Sequence, residues 1–344
     1  MSPDLVTVGG LTVDNVVAAD GTVALARVGG NAAYSGVGAR LWVDTVGLVS
    51  IAVASYPRDT LDRLTANRIL LDGVVRHPAR LEYGDWFIYD DAGNRNEKLR
   101  SKPGALAAAG FGSDRLSRAE TARWIDLLRS TPPPAEMSYS QFRDANPMTA
   151  AQVPASYLKA RGVHLAPCRP VVVHAMLSRF GPTGMTVTLD PGWQLANETL
   201  DDLAPLLAAV HAFLPSQVEL ESLVPGAGMA DALATLAQHC RGTVAVKRGP
   251  QGSLVWDRVN GRAVAVPVIP TTTVDPTGAG DSWSGGFLAG LVETGDPLLA
   301  ACFGTVSASR IVSRLGADGA LPVDPVDSRA KLAQLVALVK PESL

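Results

Sequence analysis

The sequence predicts an α/β protein, a mostly parallel, doubly wound sheet covered by helices on both faces, with a small β-sheet projecting from it. Three observations carry that prediction. From Gly162 onward, short apolar runs alternate with helical patterns of about 10–15 residues, the rhythm of strand–helix–strand crossovers. Leu5–Val8 is a compact apolar run closed by Gly9-Gly10, as suits a strand buried on both faces. Residues 80–102 break the rhythm: Trp86, Phe87, Ile88 and Tyr89 followed by Asp91-Ala-Gly-Asn94 read as a hairpin, assigned to the small sheet together with 11–28.

Composition bounds the rest. The chain has 344 residues, 47% hydrophobic and 18% charged, enough to bury a large core. A net charge of −3 offers no footprint for nucleic acid or an anionic membrane. Cys168, Cys240 and Cys302 are odd in number and scattered, so reduced thiols are expected rather than a disulfide framework. No apolar run approaches the roughly 18–20 residues of a membrane span. The opening Met1-Ser-Pro-Asp-Leu-Val also lacks a signal-peptide pattern. The expectation is one cytoplasmic domain over 1–344, with no nucleic-acid or membrane partner.

In chain order, Asn31 is predicted to N-cap a helix carrying Ala32, Ala33, Val37, Leu41 and Trp42. A strand is expected over Thr45–Ser50, a helix over Arg58–Leu70 and a short strand at Val74-Val75. Residues 103–155, with one helix near Arg118–Leu128 and a Thr131-Pro-Pro-Pro run, read as an insertion packed on the surface. Strands follow at 162–166, 185–189, 209–214, 243–247 and 254–256, interleaved with helices at 170–180, 200–207, 218–223 and 231–238. Three more helices are expected, over about 282–292, 297–314 and 327–338.

The stretch Val274-Asp-Pro-Thr-Gly-Ala-Gly-Asp281 is the densest chemical signal. Thr271–Val274 reads as the end of a strand, Gly278-Ala279-Gly280 as a turn, and Trp283, Phe287, Leu288 and Leu291 as one face of a helix. Glycines at such a turn let backbone N–H groups converge, and a helix N-terminus adds unpaired donors and a positive dipole end. Asp281 at the lip of that anion site is a candidate base for phosphoryl transfer. Asp14, Asp190, Ser216, Gly249 and the Gly278 turn all follow predicted strands, so one composite site at the carboxyl edge of the sheet is expected. Rival signatures fail. There is no P-loop, no complete G-x-G-x-x-G, and the near miss Gly280-Asp-Ser282-Trp-Ser284 has no histidine after it to serve a hydrolase. His164 and His174 lack partners at metal-ligand spacing and read as core or surface residues.

Asp275-Pro-Thr-Gly-Ala-Gly-Asp281 with Gly285-Gly-Phe287 resembles the C-terminal signature of the ribokinase-like (PfkB) family of carbohydrate and nucleoside kinases. Gly29-Gly30-Asn31-Ala-Ala, with Arg40-Leu41 downstream, resembles the N-terminal one. The resemblance implies ATP and Mg2+ as cofactors, with a monovalent cation such as K+ as an optional third. It makes Asp281 the general base, with Gly278, Ala279 and Gly280 as the anion hole. Asp14, Gly29, Gly30 and Asn31 would hold a small-molecule acceptor. Ser216, Lys247, Gly249, Gly252 and Thr277 would lie on the nucleotide side, and Glu219 would serve the metal. It further implies that residues 11–28 and 80–102 form a lid and a homodimer contact. Three positions depart from the family pattern: Ser216-Gln-Val-Glu219 in place of Asn-x-x-Glu, Lys247-Arg248-Gly249 in place of Thr-x-Gly, and Pro276 in the motif. Lys247 or Arg248 is left between phosphate contact and solvent. The functions weighed are a sugar kinase, a nucleoside kinase with a base between aromatics such as Trp42, Trp86, Tyr89 or Trp193, and a catalytically silent binding protein. Arg95, Lys98 and Arg100 are candidates for binding an already phosphorylated sugar.

Overall fold

The computed structural model describes residues 1–81, 84–90, 95–101, 109–110, 115–130 and 136–339, with the backbone alone over 95–101. Strand β1 (Leu5–Val8) lies inside the main sheet, third from one edge, paired in parallel with β4 (Val46–Val53) and β8 (Gly162–Leu165). Beyond β4 lies β5 (Ile69–His77). Beyond β8 come β9 (Thr186–Leu189), β10 (Ala212–Phe213) and β11 (Thr243–Lys247), all parallel. An antiparallel pair, β12 (Ser253–Asp257) and β13 (Arg262–Val266), closes that edge. The order β13-β12-β11-β10-β9-β8-β1-β4-β5 gives a doubly wound sheet with one antiparallel margin.

Alternation along β1 divides the core. Leu5 joins one apolar cluster, with helices Asn31–Arg40, Ala279–Thr294 and Pro297–Val312. Val6 and Val8 join the other, with helices Pro170–Phe180, Leu200–Ala209 and Met229–His239. Each strand residue points to the face opposite its neighbour, so one four-residue strand serves both layers.

A second sheet has the order β3-β2-β6-β7, from β2 (Thr12–Val17), β3 (Val23–Gly29), β6 (Gly84–Tyr89) and β7 (Arg95–Ser101). Its two hairpin-like pairs are antiparallel, and β2 joins β6 in parallel. Period-two geometry sorts its side chains. Val17, Trp86 and Ile88 face outward onto Leu116 and Trp124, the Trp86 and Trp124 rings meeting edge-on at 5.6 Å. Val16, Phe87 and Tyr89 face inward, with Leu315 packed against them. Helix Arg118–Ser130, which carries Trp124, therefore belongs to the outer face of the small sheet. The Asp91-Ala-Gly-Asn94 turn lies outside the described residues.

Several boundaries differ from the sequence reading. Helix Arg58–Ala66 ends before the expected Leu70 because Arg68 takes a left-handed φ of 61°, and Ile69 and Leu70 already belong to β5. Thr271–Val274 is irregular and largely exposed, so no strand leads into the Gly278 turn. Strand β13 is new. The Asn260-Gly261 pair before it, with Gly261 at φ 61°, was its signal.

Helix Asn31–Arg40 and helix Ala279–Thr294 cross with their backbones almost touching. A Cβ on Gly38 would lie 2.2 Å from the Ser282 carbonyl oxygen, and one on Gly285 1.9 Å from that of Ser35. Ser307 ties the crossing to helix Pro297–Val312, accepting from Trp42 Nε1 and donating to the Gly38 carbonyl, both at 2.8 Å. Gly285→Ala is expected to cost about 3 kcal/mol, the upper part of the overpacking range, measured by urea unfolding. Gly181→Ala, at an ordinary φ of −52° with open space around it, is expected to change stability by less than about 1 kcal/mol.

Candidate active site

The Gly278 turn opens helix Ala279–Thr294 directly. Gly278 is its N-cap at φ 72°, and a Cβ there would lie 2.1 Å from the Tyr34 ring. Glycine is thus required twice over, by backbone conformation and by space. Asp275 braces the turn, accepting from the N–H of Thr277 (2.9 Å) and of Gly316 (3.3 Å). The Ala279 N–H closes back on the Pro276 carbonyl at 3.2 Å, whereas those of Gly278 and Gly280 have no backbone acceptor among the described residues. Of the three expected anion donors, two stand open and Ala279 is committed to the turn.

Asp281 sits in the first turn of this helix, partly exposed to the cleft. Burial of its carboxyl, then the neighbouring Asp190 carboxylate, push its pKa up to about 7, against the pull of Lys247. Asp190 follows β9 and Lys247 ends β11, and the ammonium of Lys247 is bonded to the Asp190 carboxylate. Ser284 Oγ, one turn along from Asp281, adds a 3.3 Å bond to the same Asp190 oxygen. Burial alone would lower the Lys247 pKa, but Asp190 and Glu219 outweigh it and hold the lysine charged. Lys247 is therefore no solvated side chain. It is a fixed cation beside the open turn, its Nζ 3.8 Å from where a Cβ on Gly280 would stand. Arg248 instead bonds Gln251.

Ser216 and Glu219 form a reciprocal capping box on helix Gln217–Leu223. Ser216 N–H donates to Glu219 Oε2 at 2.7 Å, and Glu219 N–H to Ser216 Oγ at 3.4 Å. Burial, then Asp190, raise the Glu219 pKa. Ser216 is thus occupied as a cap, while Glu219 keeps its carboxylate within the field of the Asp190–Lys247 pair. Gly249 and Gly252, both at positive φ, border a cleft of about 600 Å³ that Ile269, Val274, Trp283 and Val312 also line. Tyr89 from the small sheet reaches the motif itself, its hydroxyl 2.5 Å from Thr277 Oγ1.

The residues expected to hold the acceptor, Asp14, Gly29, Gly30 and Asn31, lie together where the small sheet meets helix Asn31–Arg40. Asp14 is buried in β2 and accepts from Thr12 Oγ1 at 2.9 Å. It stands within the small sheet, not after a strand of the main one. Gly29 lies against it, since a Cβ there would be 2.1 Å from the carboxylate carbon. Gly30, at φ 93°, lets the chain pass over Gly10 and is the actual N-cap. Asn31 is the first helical residue. Its Oδ1 accepts from Gly10 N–H at 2.6 Å and its Nδ2 donates to the Pro167 carbonyl at 2.8 Å. Buried strand-end backbone needs partners, and that need claims the amide before any cap can. Tyr34, missed in the sequence because it looks like core, is buried in the same helix, and its hydroxyl has no hydrogen-bond partner among the described residues. Burial, then Asp14, hold its pKa well above the ordinary value. Of the aromatics considered as base walls, Trp42 and Trp86 are core residues and Trp193 is solvent-exposed, leaving Tyr89 in the site. His164 is buried on the Thr188 hydroxyl and His174 is exposed. Among the described residues no group of three His, Cys, Asp or Glu side chains is placed to hold a metal by itself. No helix among them is long and apolar enough to cross a membrane.

The Gly278 turn, the raised Asp281 carboxyl and the fixed Lys247 thus meet beside a doubly wound, mostly parallel sheet. The pfkB family carbohydrate kinase profile matches residues 134–324, and the chain belongs to that family, phosphotransferases with an alcohol group as acceptor. The match opens within the segment read as an insertion. A cytidine kinase of Thermococcus kodakarensis is 26% identical over 296 residues, 86% of this chain and 90% of that one. An uncharacterised sugar kinase of Archaeoglobus fulgidus is 33% identical over 141 residues, 40% of this chain and 54% of the other. Among solved structures, the nucleoside kinase of Burkholderia thailandensis in complex with inosine superposes with a TM-score of 0.69 at 15% identity, covering 96% of this chain and 98% of that one. An E. coli protein assigned as ribokinase II, in complex with ATP and Mg2+, gives 0.67 at 18%, over 96% and 99%.

The raised Asp281 leaves a mark on stability. Between its unfolded value of 3.8 and its folded value of about 7, the native state binds the extra proton, so stability falls as pH rises through that window. Asp281→Asn is expected to flatten this slope and raise Tm by several degrees at pH 8 but not at pH 4, read by calorimetry across pH. Lys247→Met is expected to steepen it.

Proposed function

We propose that the protein transfers the γ-phosphoryl group of ATP to a hydroxyl of a small sugar or sugar-like molecule, with Asp281 as the general base. The observation that carries this reading is Asp281 itself. It is a carboxyl poised near neutral pH, in the first turn of a helix whose open N–H groups face the same cleft. A base matched to the working pH takes the hydroxyl proton most efficiently. As the hydroxyl oxygen attacks the γ-phosphorus, charge on the transferring group falls on the N–H groups of Gly278 and Gly280 and on Lys247. These donors are already in place, so little reorganisation is required. Gly249, Gly252 and the apolar cleft beside them suit the nucleotide, and Asp14 with its glycine neighbours suits acceptor hydroxyls.

The donor set fits a nucleotide-bound magnesium ion. Asp190 and Glu219 are hard carboxylate oxygens in excess over the single Lys247 cation, and they would hold Mg2+ through water on the nucleotide side. When bound, the ion neutralises phosphate charge. The small sheet acts as a lid, with Tyr89 on Thr277 as its contact to the motif and Asp14 on its inner strand. Closure of that sheet shields the transfer from water.

A nucleoside acceptor is the second reading, supported by the likeness to cytidine kinase over 86% of the chain. A thermal-shift screen of sugars against nucleosides, with a non-hydrolysable ATP analogue present, separates the two. Asp281→Asn is expected to lower kcat by about 10²–10⁴, the worth of a general base, with nucleotide Kd changed less than about threefold. Undiminished turnover in that variant overturns the assignment. The wild-type kcat/KM is expected to rise with pH through an acid limb near 7, because only ionised Asp281 accepts the proton.

A further inference from the structure

Across the carboxyl edge of the sheet, beyond the acceptor residues and away from the nucleotide cleft, lies a second hollow. It spans the ends of four adjacent strands, with Ser50 from β4, Gly10 after β1, Cys168 and Arg169 after β8, and Gln194 beyond β9. This is the edge at which such sheets bind ligands. Arg143, from helix Tyr139–Ala145, closes it. Its guanidinium lies over Gly10, where a Cβ would come within 2.5 Å of Nη1. The opposite side of the same loop is held by Asn31 on the Gly10 N–H. The hollow and the acceptor residues thus share one strip of backbone, Gly9-Gly10.

Its charges do not cancel. Arg169 is turned onto Asp144, 3.7 Å from its carboxylate and 3.3 Å from its carbonyl. Arg143 has no carboxylate within ion-pair distance and no hydrogen-bond acceptor among the described residues. A half-buried guanidinium offers five donors in a rigid fork, suited to carboxylate and phosphate oxygens. A second observation points into the same space. Ser50 is fully buried, lines the hollow, and its Oγ has no hydrogen-bond partner among the described residues. Buried hydroxyls are ordinarily satisfied, so this one is a donor awaiting an acceptor.

Resting on the kinase reading above, we infer that the acceptor bears an anionic group, a phosphate monoester or a carboxylate, bound by Arg143 and Ser50 while its hydroxyl faces Asp281. Arg143 is then a specificity-determining residue supplied by the helix at 139–145.

The test measures binding by calorimetry and ATP-dependent transfer on matched pairs: ribose against ribose 5-phosphate, and glucose against gluconate. The unchanged protein is expected to bind an anionic member at least tenfold tighter than its neutral partner, and which pair responds identifies phosphate or carboxylate. Arg143→Gln is expected to weaken the anionic ligand about tenfold to a hundredfold, the worth of a hydrogen bond to a charged group. It should move the neutral ligand less than about threefold, with Arg143→Lys intermediate. Ser50→Ala should weaken the anionic ligand alone, in a variant that leaves the arginine in place. Equal or better binding of both neutral members, no binding of either anion at millimolar concentration, or a loss in Arg143→Gln shared by both members of a pair overturns the inference. Arginine-dependent anion binding without phosphoryl transfer would leave it standing and sink the kinase reading. Transfer to neutral acceptors without anion preference would do the reverse.

Discussion

The crossing of helices Asn31–Arg40 and Ala279–Thr294 is the constraint on which the site depends. One helix begins at the acceptor residues and the other at the anion turn and Asp281. Side chains at the crossing would hold the axes at an ordinary helix–helix distance of about 8–10 Å. Gly38 and Gly285 remove them, and backbone meets backbone. Tyr34 then packs its ring against Gly278, so the acceptor helix physically supports the turn that opens the other helix. The two halves of the cleft share one rigid joint and cannot drift independently.

Electrostatics within that joint are deliberately unbalanced. Asp190, Glu219 and Asp281 surround one lysine, and burial, then the repulsion of the neighbouring carboxylates, push the Asp281 pKa up to about 7. Lys247 has two parts in this. It bonds Asp190, which leaves the Asp281 carboxylate without a hydrogen-bond partner among the described residues, and it stands beside Gly280. A fully paired cluster would be more stable and would leave no carboxyl with so raised a pKa.

Local pattern made much of this legible. The Gly278-Ala-Gly-Asp281 turn, the glycine pair before Asn31 and the strand–helix alternation after Gly162 all announce themselves within a few residues, because turn chemistry and periodicity are short-range properties. What escaped notice depends on residues far apart in the chain. Asn31 has the residue type of a helix cap, yet its amide is claimed by Gly10 and Pro167, the latter 136 positions away. Lys247 was left between phosphate and solvent because nothing near it in sequence names Asp190 as its partner. Helix Arg118–Ser130 read only as part of a surface insertion because Trp86, against which its Trp124 packs, comes from another part of the chain.

By itself, then, the sequence determined the fold class and the glycine turn that opens a helix with Asp281 in its first turn, since each is written in contiguous residues whose backbone preferences and spacing leave few alternatives. Only the tertiary structure decided which groups surround that carboxylate. It committed Ala279 to the turn, Ser216 to a cap and Lys247 to Asp190, and it brought Arg143 over Gly10. Those outcomes follow from long-range packing and from the need of every buried polar group for a partner, and neither can be read from neighbours along the chain.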